Sequence, residues 1–418
     1  MPNWVNYHKM KQYYTNPNID KPLDQIYSDL NDHTNEIFEG DTVYHKHLVS
    51  FVLLPPLFYE GKFLKGIIFS QGVDFLYKIN PRLQDVFLSM AYSMCCGYPW
   101  SESADAYFTL YKNPQREEWF RKNHPDKADK ILIPFEDSDY TNEYIMAPTE
   151  INKAKDIDIL CISRFIDLKN IPIIAEALKI YRQKYPEKTI KMSLIIGKDF
   201  GSNFEGIDEQ EKAEIQKVES ILDVPKDYID LIPRVDYHKL PEYYSRAKLT
   251  ILGTLVEGKN RSLHESMSCN TPIVYFKDFN KYLRGDDFAF PEGAGLCAPE
   301  FTAESLADTI HTVLENQDAF KPRRKYLEFY GRKNFFNTCI NSFPYYKSNL
   351  PEYKENEHFN NLWLDLAMQY NYQLSLNDFI YDKNTGLSWS STPENINTLI
   401  NFYLSRFDYF RDVMKYEI

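Results

Sequence analysis

The chain has 418 residues, with 48 Lys and Arg against 60 Asp and Glu, a formal net charge of −12. At roughly 150 residues per domain this length calls for two or three domains, each able to bury a core without disulfide or metal staples. The acidic balance excludes proteins that work through a field of Lys and Arg, such as nucleic-acid binders and polybasic membrane anchors. No run of 18 apolar residues is present, so no transmembrane segment is expected, and the opening MPNWVNYHKMKQYYTN lacks the apolar stretch of a signal peptide. Six cysteines without repeated spacing are expected to be reduced thiols in a cytoplasmic protein.

The first 45 residues are polar and aromatic with weak periodicity, and are expected to be irregular or briefly helical. Two apolar runs, HLVSFVLL (47–54) and GIIF (66–69), follow as strands, the first stopped by Pro55-Pro56. Helical spacing of Leu83, Val86, Phe87 and Met90 predicts a helix over Pro81 to Cys96. DAYFTLY (105–111) is the next strand, and Asn113-Pro114 opens a helix. ILIPF (131–135) is a further strand, with an acidic loop from Glu136 to Tyr144 after it. The polar stretch from Pro148 to Lys155 breaks the pattern, so a domain boundary is placed there, at 152/153.

A second alternation then begins. Strands are predicted at 157–163 (IDILCIS), 191–197 (KMSLIIG), 230–232 (DLI), 248–253 (KLTILG) and 272–276 (PIVYF), separated by helices. Five strands spaced by helices argue for an α/β fold with a parallel, doubly wound sheet. Beyond Thr302 the pattern is mostly helical, and Phe359, Leu362, Trp363, Leu366 and Tyr370 share one helical face.

Several motifs fail on context. Gly293-Ala294-Gly295 with Ala298 fits a dinucleotide fingerprint on paper, but Pro299 follows and no strand runs directly into a helix. His264-Glu265 leads to no second His, so no zinc-protease helix is present. Asp137 and Asp139 form a D-x-D after a strand, a pattern that can hold a divalent ion against a diphosphate or can be a solvated acidic loop.

The informative stretch is GTLVEGKNRSLHESMSCNTPIVY (253–275), where Glu257 and Glu265 stand eight positions apart with a helix beginning between them. The end of a parallel strand followed by a helix N-terminus is where phosphates and sugars bind in open α/β sheets. The structural alternative is that Ser262 and Glu265 form an S-x-x-E capping box and Glu257 is a turn residue.

The wider chain bears on that choice. Glu257-Gly258, Glu265-Ser266-Met267-Ser268 and Thr271-Pro272-Ile273-Val274 resemble the E-x7-E signature of retaining glycosyltransferases of GT-B fold, specifically glycosyltransferase family 4. Arg164 and Lys169 in CISRFIDLKN look like that family's turn into the donor domain. Gly197, Pro233-Arg234-Val235, Tyr243 to Ala247, and Gly293 to Leu296 with the FTAESLADTIHTVLEN that follows match in order. The resemblance is close over 158–316 and weaker over 104–148.

The resemblance implies two Rossmann-like domains facing a cleft. Residues 1–152 would be a diverged or shortened acceptor domain, 153–335 the donor domain, and 336–418 a helical region crossing back to the first. It implies transfer of a sugar, with retention, from a UDP- or GDP-linked donor to a glycan, lipid or small-molecule hydroxyl, as in polysaccharide biosynthesis. No metal and no cofactor are implied. Arg164 and Lys169 would stabilise the leaving diphosphate, joined by donors from Lys259, Asn260, Arg261 and Ser262. Glu265 would accept from the ribose and Glu257 from the donor sugar, with Gly258 and Gly197 lining the site and Arg234 and Val235 meeting the base. On the acceptor side, Gln71, Gly72 and Asp74 follow a strand and would face the substrate. The chain departs from the family at Lys259-Asn260-Arg261, where an aromatic and a glycine are usual, and at His264, where a packed ring is expected. Two rivals remain: a metal-dependent transferase built on Asp137 and Asp139, and a non-catalytic nucleotide- or glycan-binding protein on the same fold.

Overall fold

A computed structural model describes residues 49–349 and 389–390, apart from 55–56, 60–61, 71–72, 75–76, 78–80, 82, 93–100, 111–116, 119–120, 123, 136, 150–154, 200–205, 255–259 and 278–289. The chain divides into two compact units, one of residues 1–135 with 333–418 and one of residues 136–332.

In the first unit the strands are β1 (Val49–Leu54), β2 (Leu57–Tyr59), β3 (Lys62–Leu64), β4 (Gly66–Ser70), β5 (Phe87–Tyr92), β6 (Ala106–Leu110) and β7 (Ile131–Phe135), with β14 at Trp389–Ser390. The sheet runs β14-β1-β4-β5-β6-β7. Its β4 to β7 are parallel neighbours, whereas β1 lies antiparallel to β4. β2 and β3 make a separate hairpin.

One expectation fails here. The helix expected over Pro81 to Cys96 is a single turn, α1 (Leu83–Val86), followed at once by β5. Phe87, Leu88, Ser89, Met90 and Ala91 are all buried, so both faces of this strand are covered. A strand inside a parallel sheet reads as a continuous apolar run, and chance spacing then mimics a helix. The aromatic stripe from Phe359 to Tyr370, and the first 45 residues, lie outside the described residues.

The second unit carries β8 (Ile157–Ile162), α2 (Ile171–Lys184), β9 (Met192–Ile195), α3 (Glu209–Ile221), the short α4 (Pro225–Tyr228), β10 (Ile229–Ile232) and α5 (Leu240–Arg246). Then come β11 (Ala247–Ile251), α6 (Arg261–Ser268), β12 (Ile273–Phe276), β13 (Gly295–Ala298), α7 (Ala303–Glu315) and α8 (Pro322–Phe329). All six strands are parallel, in the order β10-β9-β8-β11-β12-β13. Counted along the chain this is 3-2-1-4-5-6, the doubly wound Rossmann order.

Alternate residues of each strand face opposite helical layers. Ile159, Cys161, Leu194, Leu249, Ile251 and Val274 share a core with Ile174 and Leu178 of α2 and Leu306 and Ile310 of α7. On the other face Leu160, Ile195 and Ala247 pack with Leu240 and Tyr244 of α5, while Ile273 and Tyr275 pack with Leu263 and Met267 of α6. The five predicted strands of this unit are all present. β13 was not expected, because Gly293-Ala294-Gly295 has no β-branched residue. Gly295 is required by the pairing itself, since a Cβ there would overlap the backbone oxygen and nitrogen of Ile273. The α/β class therefore holds, with two Rossmann-like units. Among the described residues, no helix is long and apolar enough to cross a membrane.

Candidate functional site

In a sheet of order 3-2-1-4-5-6 the chain leaves strands 1 and 4 toward opposite faces, which opens a crevice beyond their C-terminal ends. Here those strands are the neighbours β8 and β11. After β8, Phe165 and Ile166 turn inward and are buried, which leaves Arg164 exposed at the rim. Asp167–Lys169 then form one 3-10 turn, with the Lys169 amide donating to the Ile166 carbonyl at 2.8 Å. Asn170 takes the left-handed conformation (φ 47°) that lets α2 begin, and a proline in the first turn of α2 holds the helix start.

The loop after β11 comes directly against this turn. A Cβ added to Gly253 would lie 2.9 Å from the Asn170 carbonyl oxygen and 2.9 Å from Ile174 of α2. Glycine is what permits the two loops to touch. Glu257, Gly258 and Lys259 lie outside the described residues.

Asn260 caps α6. Its side-chain oxygen accepts from the Ser262 amide at 2.8 Å and from the Ser262 hydroxyl. The S-x-x-E capping box considered for Ser262 and Glu265 is therefore not formed: Ser262 is already inside the helix. Glu265 is buried instead, and its carboxylate accepts a 2.8 Å hydrogen bond from the hydroxyl of Tyr244 on α5. Burial, and after it the charge of Glu265, pushes the Tyr244 phenol well above its ordinary pKa. The Tyr237 phenol is raised by the same two causes in the same order. Both phenols thus stay protonated beside the carboxylate. Arg261 is exposed at the first position of α6, and the His264 ring packs 4.8 Å from the ring of Tyr330, as expected of a packed ring.

Other expected residues line the same C-terminal edge. Gly197 is exposed just beyond β9, and Arg234 and Val235 follow β10, with the Arg234 amide donating to the Lys198 carbonyl at 3.1 Å. Along the edge the order is thus Arg234 and Val235, Gly197, Arg164 and Lys169, then Asn260 to Glu265.

In the first unit, Asp74 accepts from the amides of Glu102 at 2.8 Å and Ser103 at 2.7 Å, so its oxygens hold the 101–103 turn. Gln71 and Gly72 lie outside the described residues. Asp139 is buried and accepts from the Ser138 hydroxyl at 3.4 Å. Among the described residues, no group of three or more His, Cys, Asp or Glu is placed to hold a metal ion.

Electrostatics separates this edge from an ordinary helix start. Lys169 precedes α2 by two positions and Arg261 opens α6, so both cations sit at the positive ends of helix dipoles. That placement is unfavourable by about 0.3–1 kcal/mol per charge in isolation, and an anion between them reverses its sign. In the sequence Tyr244 reads only as part of a helix, and Gly253 and Asn170 carry no motif of their own. Their signals are tertiary: a contact between residues 21 positions apart, and the closeness of two loops.

Comparison with known proteins agrees with this geometry. Residues 145–334, a little under half of the chain, match the family described as Glycosyl transferases group 1. The segment is a glycosyl transferases group 1 domain, and the chain that carries it is a glycosyltransferase. No curated protein matches the chain. Among solved structures it is similar to sucrose-phosphate synthase (tll1590) from Thermosynechococcus elongatus, with 19% identity over 78% of this chain and 80% of that one, at a TM-score of 0.45. A glycosyltransferase from Rickettsia africae is 12% identical over 65% of this chain and 79% of that one, TM-score 0.44. TarM of S. aureus, solved with Fondaparinux, alpha-GlcNAc-glycerol and UDP, is 15% identical over 62% of this chain, which spans 51% of TarM, TM-score 0.43. At these scores the structural likenesses carry no functional weight.

Proposed function

We propose that the protein is a retaining, metal-independent glycosyltransferase of the family 4 type, which moves a sugar from a UDP- or GDP-linked donor to a hydroxyl of a glycan, lipid or small-molecule acceptor. The observation that carries this reading is the placement of Lys169 at the positive end of α2, in the turn whose next residue, Asn170, meets Gly253, at the switch point of the sheet. Two positive ends and the side chains of Arg164, Lys169 and Arg261 form a place for a diphosphate, and the buried carboxylate of Glu265 stands on the adjoining helix for ribose hydroxyls.

In the reaction, the bond between the anomeric carbon and the β-phosphate oxygen breaks while the acceptor oxygen bonds to that carbon on the same face. The acceptor proton passes to the departing phosphate oxygen, so no side chain is needed as a base. Charge grows on the β-phosphate, and Arg164 and Lys169 act on that growth: the guanidinium by a forked pair of hydrogen bonds, the ammonium as a point charge. Because Asn260 already takes the Ser262 amide, phosphate binding rests on these cations more than on that amide. Glu257, Gly258 and Lys259 would meet the donor sugar, and Arg234, Val235 and Gly197 the base. The acceptor side rests on Gln71, Gly72 and Asp74, and the protein would act in the cytoplasm, in polysaccharide biosynthesis.

The test is sugar transfer or donor hydrolysis with UDP- and GDP-sugars, with and without chelator. Wild type should turn over one donor class regardless of chelator, and Lys169→Ala should lose about 10²–10³-fold in rate. Activity abolished by chelator and by Asp139→Ala would move the reaction to the Asp137/Asp139 pair. Diphosphate binding without turnover would make the protein a binding module.

A further inference from the structure

The second unit has another charged opening, at the N-terminal ends of its strands and so away from the edge that carries Arg164 and Lys169. A cavity of about 700 Å³ lies there, inside the range of about 300–1,000 Å³ usual for small-molecule sites. Its wall includes Lys155 and Asp158 at the start of β8 and Lys248 at the start of β11. Four lysines and three acids line it, in a chain whose net charge is −12. An excess of positive charge in a cavity raises the local concentration of small anions.

Part of that charge is closed within the wall. Lys248 meets Asp158 at 2.6 Å, and Lys188 meets Glu315. Lys321 is held differently: its ammonium donates to the backbone carbonyl of Asp318 at 3.0 Å, while the residue's own carboxylate is exposed. Lys155 goes further. It stands two residues before β8, on no helix, and is half-buried. Among the described residues no acid or acceptor offsets that burial, which pushes its ammonium below the ordinary lysine pKa. A desolvated cation without a counter-ion costs free energy, and an anion bound beside it offsets that cost.

We propose that this cavity is a second small-molecule site, separate from the donor edge, which takes the phosphate monoester of a polyol or sugar: Lys155 and Lys321 meet the phosphate, and the carbon body lies against the rest of the wall. A phosphate carries close to two negative charges at neutral pH and several acceptor oxygens, so it can answer two ammonium groups at once, where a carboxylate brings one charge. The volume exceeds what a bare phosphate fills. Leu314 and Phe320 give the remaining wall an apolar side, and Thr189 and Asn270 give it a polar one, which suits a hydroxylated body better than an alkyl chain.

The experiment is titration calorimetry of the full chain, at matched ionic strength, with glycerol 3-phosphate, ribose 5-phosphate, orthophosphate and glycerate. Wild type, Lys155→Met, Lys321→Met and Lys169→Ala are compared, each with a melting curve taken without ligand. Wild type should bind at least one of the two monoesters at a single saturable site, about tenfold or more tighter than orthophosphate or glycerate. Lys155→Met should weaken that binding by about tenfold or more, and Lys321→Met, at an exposed position, by a few-fold. Without ligand Lys155→Met should melt no lower than wild type, since it keeps the chain length and removes a half-buried charge. Lys169→Ala should bind the monoester as wild type does. Failure of both monoesters to bind, or equal binding by orthophosphate or glycerate, would overturn the proposal. So would wild-type affinity in Lys155→Met, or a clearly lower melting temperature that makes Lys155 a structural residue. Loss of binding in Lys169→Ala would move the ligand to the donor edge and overturn it as well.

Discussion

The two edges of the second unit's sheet use the same strands but set their cations differently against the helix ends. At the N-terminal edge, where α2 and α7 end, lysines come with carboxylates. Lys248 meets Asp158 at 2.6 Å, Lys191 meets Asp230 at 2.6 Å, and Lys188 meets Glu315. A cavity of about 700 Å³ opens there, lined by Lys155, Lys188, Lys248 and Lys321 among others. Cations at helix C-termini complement the dipole, so stability accounts for these pairs. At the C-terminal edge, Lys169 and Arg261 stand at helix N-termini, where the dipole opposes them. An anion bound between them would reverse that opposition.

The comparison can be broken most severely at the N-terminal start of β13. Gly295→Ala places a Cβ on the backbone of Ile273, and denaturant unfolding should show a loss of about 3 kcal/mol or more, or no soluble protein. Wild-type stability in that variant would mean that β12 and β13 do not pair in this register. At the opposite edge the effect should fall on function. Lys169→Ala and Arg164→Ala should each slow transfer by about 10²–10³-fold. Lys169→Ala should meanwhile hold its stability or gain up to about 1 kcal/mol, because a cation has left a positive helix end. A clear loss of stability would instead assign Lys169 a structural duty.

Smaller effects sharpen the picture. Asp208 caps α3, and its carboxyl is held below the usual carboxylate range by the Lys198 ammonium and then by the Glu211 amide. A depressed carboxylate contributes stability above its unfolded pKa and loses it as pH falls through the folded one. Asp208→Ala should therefore cost about 1 kcal/mol at neutral pH, and the gap between variant and wild type should close below about pH 4. Asp158→Asn removes the partner of Lys248 at the N-terminal edge; it should cost no more than about 1 kcal/mol and leave the donor KM unchanged. A changed KM would make the lysine-lined cavity part of the functional surface.

The sequence made the second unit legible where local chemistry decides structure. IDILCI, MSLI and IVYF are strands because β-branched and aliphatic residues cover both faces, and the Arg164 to Lys169 turn is marked by its place between such a strand and an apolar helix. Legibility ended where the deciding partner is distant in the chain. β5 reads as a helix because a fully covered strand has no alternation to show. β13 was missed because its first residue is chosen by the backbone of Ile273. Ser262 looked like the cap of α6 until Asn260, two residues earlier, proved to hold that position. The Tyr244 hydroxyl that donates to Glu265 lies 21 residues upstream on another helix, a distance no motif spans.

The central claim is that the C-terminal edge of this sheet holds a nucleoside diphosphate through cations placed against the helix field. Thermal unfolding of wild type, Lys169→Ala and Asp158→Asn with saturating UDP, GDP, ADP and CMP tests it most directly. One diphosphate at about 100 times its dissociation constant should stabilise wild type and Asp158→Asn by about 2.7 kcal/mol, without added metal, and Lys169→Ala should show almost none of that gain. Equal stabilisation of Lys169→Ala, or no stabilisation of wild type by any of the four, would contradict the account.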